Sequence, residues 1–156
     1  MAEPTDDLGW TLGSLLRSYR ERVGPLLQDV PHGARGYQTL VEVVKEERPS
    51  QLALATHLGI DRTVMTYLID DLVEAGLVER RQNPDDRRQR QVVATTRGRR
   101  MVATTCGLVS EAEAQVLGGL DERERDVLRR LLSKAAGSPG PHDGDPCAVV
   151  AQDLDP

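Results

Sequence analysis

A chain of 156 residues with 38% hydrophobic content, 29% charged content and a net charge of −5 is long enough to bury a core and fits one soluble, mostly helical domain. No apolar run approaches the ~20 residues of a bilayer span, so no membrane role is expected. The start MAEPTDDL lacks a signal peptide's basic and apolar regions, and two cysteines, Cys106 and Cys147, give no disulfide framework; both point to a reducing cytoplasm.

Phe is absent, so the core must rest on Leu, Val, Ile and Ala. Thr5 or Asp6 is the expected cap of a first helix running from Asp7 to about Leu27, with Leu8, Leu12, Leu15, Leu16, Tyr19, Val23, Leu26 and Leu27 at helical spacing. Gly24-Pro25 should kink it or end it early. After a turn over 29–33, Gly36 to Lys45 reads as a short second helix, and Arg48-Pro49 closes that region.

Ser50 then caps a helix to about Leu58, Gly59 suits a left-handed C-terminal cap, and Asp61 caps the helix from Arg62 to Ala75. In that helix Val64, Met65, Leu68, Ile69 and Leu72 make the expected buried stripe, and Arg62, Thr63, Thr66, Tyr67 and Asp70 fall on the other face. Leu77 to Gln82 and Arg90 to Thr95 alternate as two strands joined by the turn-rich NPDDRR. A long helix from Thr96 to about Leu117 carries Met101, Leu108, Val109, Ala112 and Val116. Asp121 with Glu124 then reads as a capping box for a last helix to about Ala136, carrying Val127, Leu128, Leu131 and Leu132. The tail 137–156 holds four prolines, three glycines and four aspartates and is expected to be disordered.

Helix, turn, helix and basic hairpin in that order make a winged helix-turn-helix, a mainly α fold with a two-stranded wing. Charge agrees. Between Gly76 and Arg100 eight arginines face Glu79, Asp85 and Asp86, a local +5 that leaves −10 for the remaining chain. Local positive charge is what a phosphate-facing patch requires. Enzymatic chemistry finds no support: His32, His57 and His142 are scattered, no HExxH or paired Cys-His metal spacing occurs, Gly33 and Gly36 read as turn residues, and no nucleophile motif is present. No cofactor is expected.

Residues 52–98, LALATHLGIDRTVMTYLIDDLVEAGLVERRQNPDDRRQRQVVATTRG, resemble the MarR (multiple-antibiotic-resistance regulator) family. The likeness rests on Leu72, Gly76-Leu77-Val78 with Arg80, the wing tip Asp86-Arg87-Arg88, and Ala94-Thr95 with Gly98. Two departures stand out: Tyr67, where the family often has Arg, and Ala94, where it usually has Leu. Both bear on which operator is read.

The resemblance implies an obligate homodimer. Residues 7–32 and 99–136 would form a helical dimerisation region, and 33–98 the DNA-binding lobe. A two-fold dimer would read a pseudo-palindromic double-stranded operator with half-sites about 10 bp apart. Arg62, Thr63, Thr66 and Tyr67 would enter the major groove and Arg88 the minor groove. Arg87 and Arg90 are rival tip residues, and Asp86 would hold an arginine and shape the loop. Arg80, Arg81 and Arg97 would meet phosphates. The resemblance also implies a repressor released by a small aromatic effector, with Trp10, Arg17, Tyr37 and His57 as candidate lining, or by oxidation at Cys106, whose plainer reading is a small buried hydrophobe. The alternative function is a winged-helix module for protein–protein contact with little DNA affinity.

Overall fold

Capping side chains set the element bounds. The computed structural model describes residues 7–46, 50–137 and Cys147. Helix α1 (Leu8–Val23) is capped by Asp7, whose carboxylate accepts from the amides of Gly9 at 2.8 Å and Trp10 at 3.3 Å. Asp7 thus takes the role expected of Thr5 or Asp6, which lie outside the described residues. As Gly24-Pro25 requires, α1 stops there and a single 3₁₀ turn follows over Gly24–Leu27. Next come α2 (Ala34–Lys45), α3 (Gln51–Leu58), α4 (Arg62–Glu74), β1 (Val78–Gln82), β2 (Arg90–Ala94), α5 (Thr96–Val116) and α6 (Glu122–Ala135). The Arg48-Pro49 stop and the tail beyond Gly137, Cys147 excepted, also fall outside the described residues.

Two compact units divide the chain at 26/27 and 107/108. One holds α1, the C-terminal part of α5, and α6. Asp121 and Glu124 close a reciprocal capping box at the start of α6, at 2.9 and 2.8 Å. In this unit α6 has no buried residue, and Leu8, Leu12 and Leu16 of α1 and Val127, Leu131 and Leu132 of α6 are exposed.

The other unit holds α2, α3, α4, the wing and the start of α5. Ser50 Oγ accepts from the Ala53 amide at 3.1 Å to start α3, Gly59 ends it at φ +62°, and the Asp61 carboxylate starts α4. The antiparallel wing pairs Val78 with Ala94, Arg80 with Val92 and Gln82 with Arg90, and a single bridge ties Ser50 to Gln91. Leu40, Leu54, Met65, Leu68, Ile69, Leu72 and Val102 are fully buried.

Several expectations need correction. Val64 is 39% exposed, because the buried stripe of α4 runs through 65, 68, 69 and 72, and 64 sits at its edge. Helix α5 buries Val102, Thr105, Cys106, Val109 and Ala112, a regular three-four stripe that leaves Leu108 exposed beside it. Gly36 is not a turn residue: it lies in α2 against the Pro31 carbonyl, where an added Cβ would stand 1.7 Å from the oxygen. The cysteines are not independent either. Cys106 is buried and forms a disulfide with Cys147, Cα to Cα 5.6 Å, across a sequence separation of 41 residues. Nothing in the spacing of two cysteines so far apart signals a pair.

A second glycine contact joins wing and α5. The Gly98 Cα faces the Leu77 carbonyl, and a Cβ built there would lie 2.0 Å from its oxygen. Gly98→Ala should therefore force the helix start off the wing and cost about 1–3 kcal/mol, read as a lower denaturation midpoint with an unchanged m-value. For the disulfide, protein purified without reductant should resist alkylation at both cysteines. Added dithiol should expose Cys147 to reagent before the buried Cys106.

Candidate nucleic-acid interface

Helix α4 presents Arg62, Thr63, Thr66 and Tyr67 as exposed residues, Tyr67 at 63%. Asp61 fixes the start of this surface by capping α4 through the amides of Thr63 and Val64. The Thr66 hydroxyl donates to the Arg62 carbonyl at 2.9 Å and accepts from Gln51 Nε2 at 2.7 Å. The same Gln51 accepts from Arg80 at 3.3 Å, and Arg80 pairs with Asp70 at 2.7 Å. One chain of polar contacts thus joins the first turn of α3, the middle of α4 and strand β1.

Wing arginines fall into two groups. Arg80, with its side chain 25% exposed, is held by Asp70 and Gln51, and Arg81 is ion-paired with Glu79. Arg87, Arg88 and Arg90 at the tip and Arg97 at the head of α5 are exposed and have no carboxylate partner among the described residues. The tip is turned by side chains acting on the backbone: Asn83 accepts from the Asp85 amide at 2.9 Å and Asp86 from the Arg88 amide at 3.0 Å. Asp86 therefore shapes the loop as expected, but through a peptide N–H rather than by holding a guanidinium.

Beyond α4's exposed face, Asp71 meets His32 at 2.6 Å, so both Asp70 and Asp71 face cationic or hydrogen-bonding neighbours. Gln51 is the residue that sequence reasoning missed. A glutamine one position past an N-cap is ordinary, and its importance exists only once α4 and β1 lie beside it.

The four effector-site candidates sit in different settings. Trp10, 65% exposed, and Arg17 are open on α1. Tyr37 is buried in α2. His57 lies 3.5 Å from the buried Glu42, which also pairs with Lys45 at 3.1 Å, so this partly buried trio ties α3 to α2. A separate apolar cavity of about 450 Å³ opens between α1, α5 and α6, lined by Leu12, Leu16, Tyr19, Glu113, Leu128 and Arg129 among others; its lining includes none of the four. Burial raises the Glu113 pKa, and Arg129 at 3.6 Å pulls it down without cancelling that effect. Burial, together with the Glu113 charge, raises Tyr19 as well.

The MarR family model matches residues 36–89, which take in α2, α3, α4, β1 and the wing tip. A MarR-family transcriptional regulator from Rhodococcus sp. RHA1 superimposes with a TM-score of 0.76 at 26% identity, over 87% of this chain and 98% of that one. CouR from Rhodococcus jostii RHA1, solved with p-coumaroyl-CoA, gives 0.67 at 27% identity, over 85% and 93%. Bordetella bronchiseptica BpsR, whose DNA binding is regulated by 6-hydroxynicotinic acid, gives 0.74 at 19% identity, over 89% and 99%.

A carboxyl whose pKa is raised on folding adds stability below its unfolded value and loses that stability as pH rises through the folded value. Glu113→Gln stays neutral throughout. It should therefore raise the melting temperature at pH 7–8 relative to the parent, with the difference closing near pH 4, where both side chains are uncharged. Equal melting temperatures across that range would show that Arg129 fully compensates the buried charge.

Proposed function

We propose that this chain, which belongs to the MarR family of transcriptional regulators, is a homodimeric, sequence-specific repressor released from double-stranded DNA by a small aromatic molecule. Members of the family are regulators and not enzymes. The observation that carries the DNA reading is the set of guanidiniums at the wing tip, Arg87, Arg88 and Arg90, exposed and without a carboxylate partner among the described residues, on the lobe whose α4 leaves Arg62, Thr63, Thr66 and Tyr67 exposed. Free cations supply affinity through counterion release, and the helix face supplies the reading. Arg88 is the residue assigned to the minor groove, with Arg97 on phosphate. Arg80 and Arg81, both tied to carboxylates, act more on the wing's shape than on phosphate.

The homodimer is supported by the apolar faces of α1 and α6, which one chain leaves uncovered. In this reading residues 7–32 and 99–136 dimerise and 33–98 bind the operator, a pseudo-palindrome. The effector class is supported by CouR, bound to p-coumaroyl-CoA, and BpsR, regulated by 6-hydroxynicotinic acid. Of the residues considered for it, Trp10 and Arg17 have exposed side chains available to a ligand, while Tyr37 and His57 are engaged in packing and ion pairing. Such a ligand acts only by binding one dimer geometry better than the other. A regulator that binds the operator works where the DNA is, which supports a cytoplasmic location.

The test is a salt titration on DNA enriched from random sequence. Arg88→Ala should weaken binding and flatten the log–log salt slope by up to about 0.9 for each wing that loses this cation from among the phosphates lining the minor groove, with melting unchanged. Arg80→Ala should do the converse, lowering the melting temperature through the lost Asp70 and Gln51 contacts while leaving the slope nearly intact. Affinity that stays micromolar or weaker on every sequence would instead favour a protein–protein module.

A further inference from the structure

The hydroxyl of Thr66 is already spent. Arginine has no acceptor, so Gln51 must turn its Oε1 to Arg80, which turns its Nε2 to Thr66. Thr66 Oγ1 therefore receives a hydrogen bond from Gln51, and its single proton goes to the Arg62 carbonyl one turn back. Anchored at both ends, Oγ1 holds χ1 in one rotamer, which fixes the Cγ2 methyl with it on a residue that is exposed. Around it the exposed face carries Val64, 39% exposed, and Tyr67, 63% exposed; Arg62 is the only cation among these four. The methyl and ring-carbon part of this surface, beside the guanidinium of Arg62 and the hydroxyls of Thr63 and Tyr67, cannot make the bidentate contacts that read guanine or adenine. It matches the one apolar mark in the major groove, the C5-methyl of thymine.

Resting on the DNA-binding reading above, we propose that α4 reads its operator by apolar contact with thymine methyl groups, and that Gln51 is a positioning residue that clamps Thr66 so its methyl faces the groove. Arg80 holds Gln51 in the required orientation, which couples the wing to the reading surface.

Uracil in place of thymine removes only the methyl and so tests this directly. In a half-site recovered by random-sequence selection with the wild-type protein, each thymine is changed to uracil in turn and affinity is measured at fixed salt. At least one position should lose about fourfold in affinity, the worth of one buried methyl. Thr66→Ser keeps the hydroxyl bonds and lacks the methyl, so it should bind thymine and uracil equally at the Thr66 position. Gln51→Ala should shrink the same discrimination while leaving the salt slope unchanged. Tight, sequence-selective binding with uracil tolerated everywhere would overturn the proposal and leave the DNA reading standing. Full discrimination retained by Thr66→Ser would also overturn it, and discrimination retained by Gln51→Ala would remove Gln51 from it. No selective DNA binding at all would overturn both.

Discussion

The junction of wing and α5 is the constraint on which the lobe's geometry depends. Thr95 Oγ1 lies 2.6 Å from the Gly76 carbonyl and 3.2 Å from that of Leu77, so its one proton is shared between them, and it accepts from the Gly98 amide at 3.0 Å. The Thr95 amide adds a bond to Leu77 at 3.1 Å, and Gly98 packs its bare Cα on the same carbonyl. One side chain and one missing side chain thus connect the end of α4, the first residue of the wing and the first turn of α5. Because Gly76 sits at φ +71°, the chain reverses out of α4 within one residue, and any shift of this junction carries α4 and the wing apart.

That junction accounts for why so much of the lobe was legible in the sequence. Its parts are local and chemically restrictive: Ser50 and Asp61 as caps, Gly59 and Gly76 at positive φ, and a Thr-x-x-Gly step that tolerates few substitutes. The helix and strand bounds follow within a residue or two. What was not legible depends on contacts between elements far apart in sequence. Val64 looked buried because it is apolar and beside Met65, yet the stripe passes one position away. In α5, Met101 and Leu108 drew the expected face about one position off, since only the packing of Val102 and Cys106 decides it. The Cys106–Cys147 pair and the Gln51 relay had no local signal at all.

The candidate site shows the same division. Sequence reading assigned Arg62, Thr63, Thr66 and Tyr67 of α4 to the major groove, Arg88 to the wing tip with Arg87 and Arg90 as rivals, and Arg80, Arg81 and Arg97 to phosphate, but had no view of what pairs with each. Placement separates them: carboxylates on α4 and β1 occupy Arg80 and Arg81, and backbone turns at Asn83 and Asp86 hold up a tip whose guanidiniums have no such partner among the described residues. An exposed pair alone contributes little stability, but Arg80, held by both Asp70 and Gln51, joins β1 to α4 and α3 and also fixes where its charge ends up.

An acidic chain can meet a polyanion on these terms. Asp70 and Asp71 follow directly on the exposed face of α4, where two uncompensated carboxylates would repel phosphate. Arg80 pairs with the first, and His32, held at φ +63°, hydrogen-bonds the second. Arg80 thus offsets the Asp70 charge while its contact with Gln51 orders the exposed side of α4. The unpaired charge is left to the wing tip and the heads of α4 and α5, where Arg62 and Arg97 stand. Net charge of −5 then describes the protein's solubility, and the position of a few guanidiniums describes its partner.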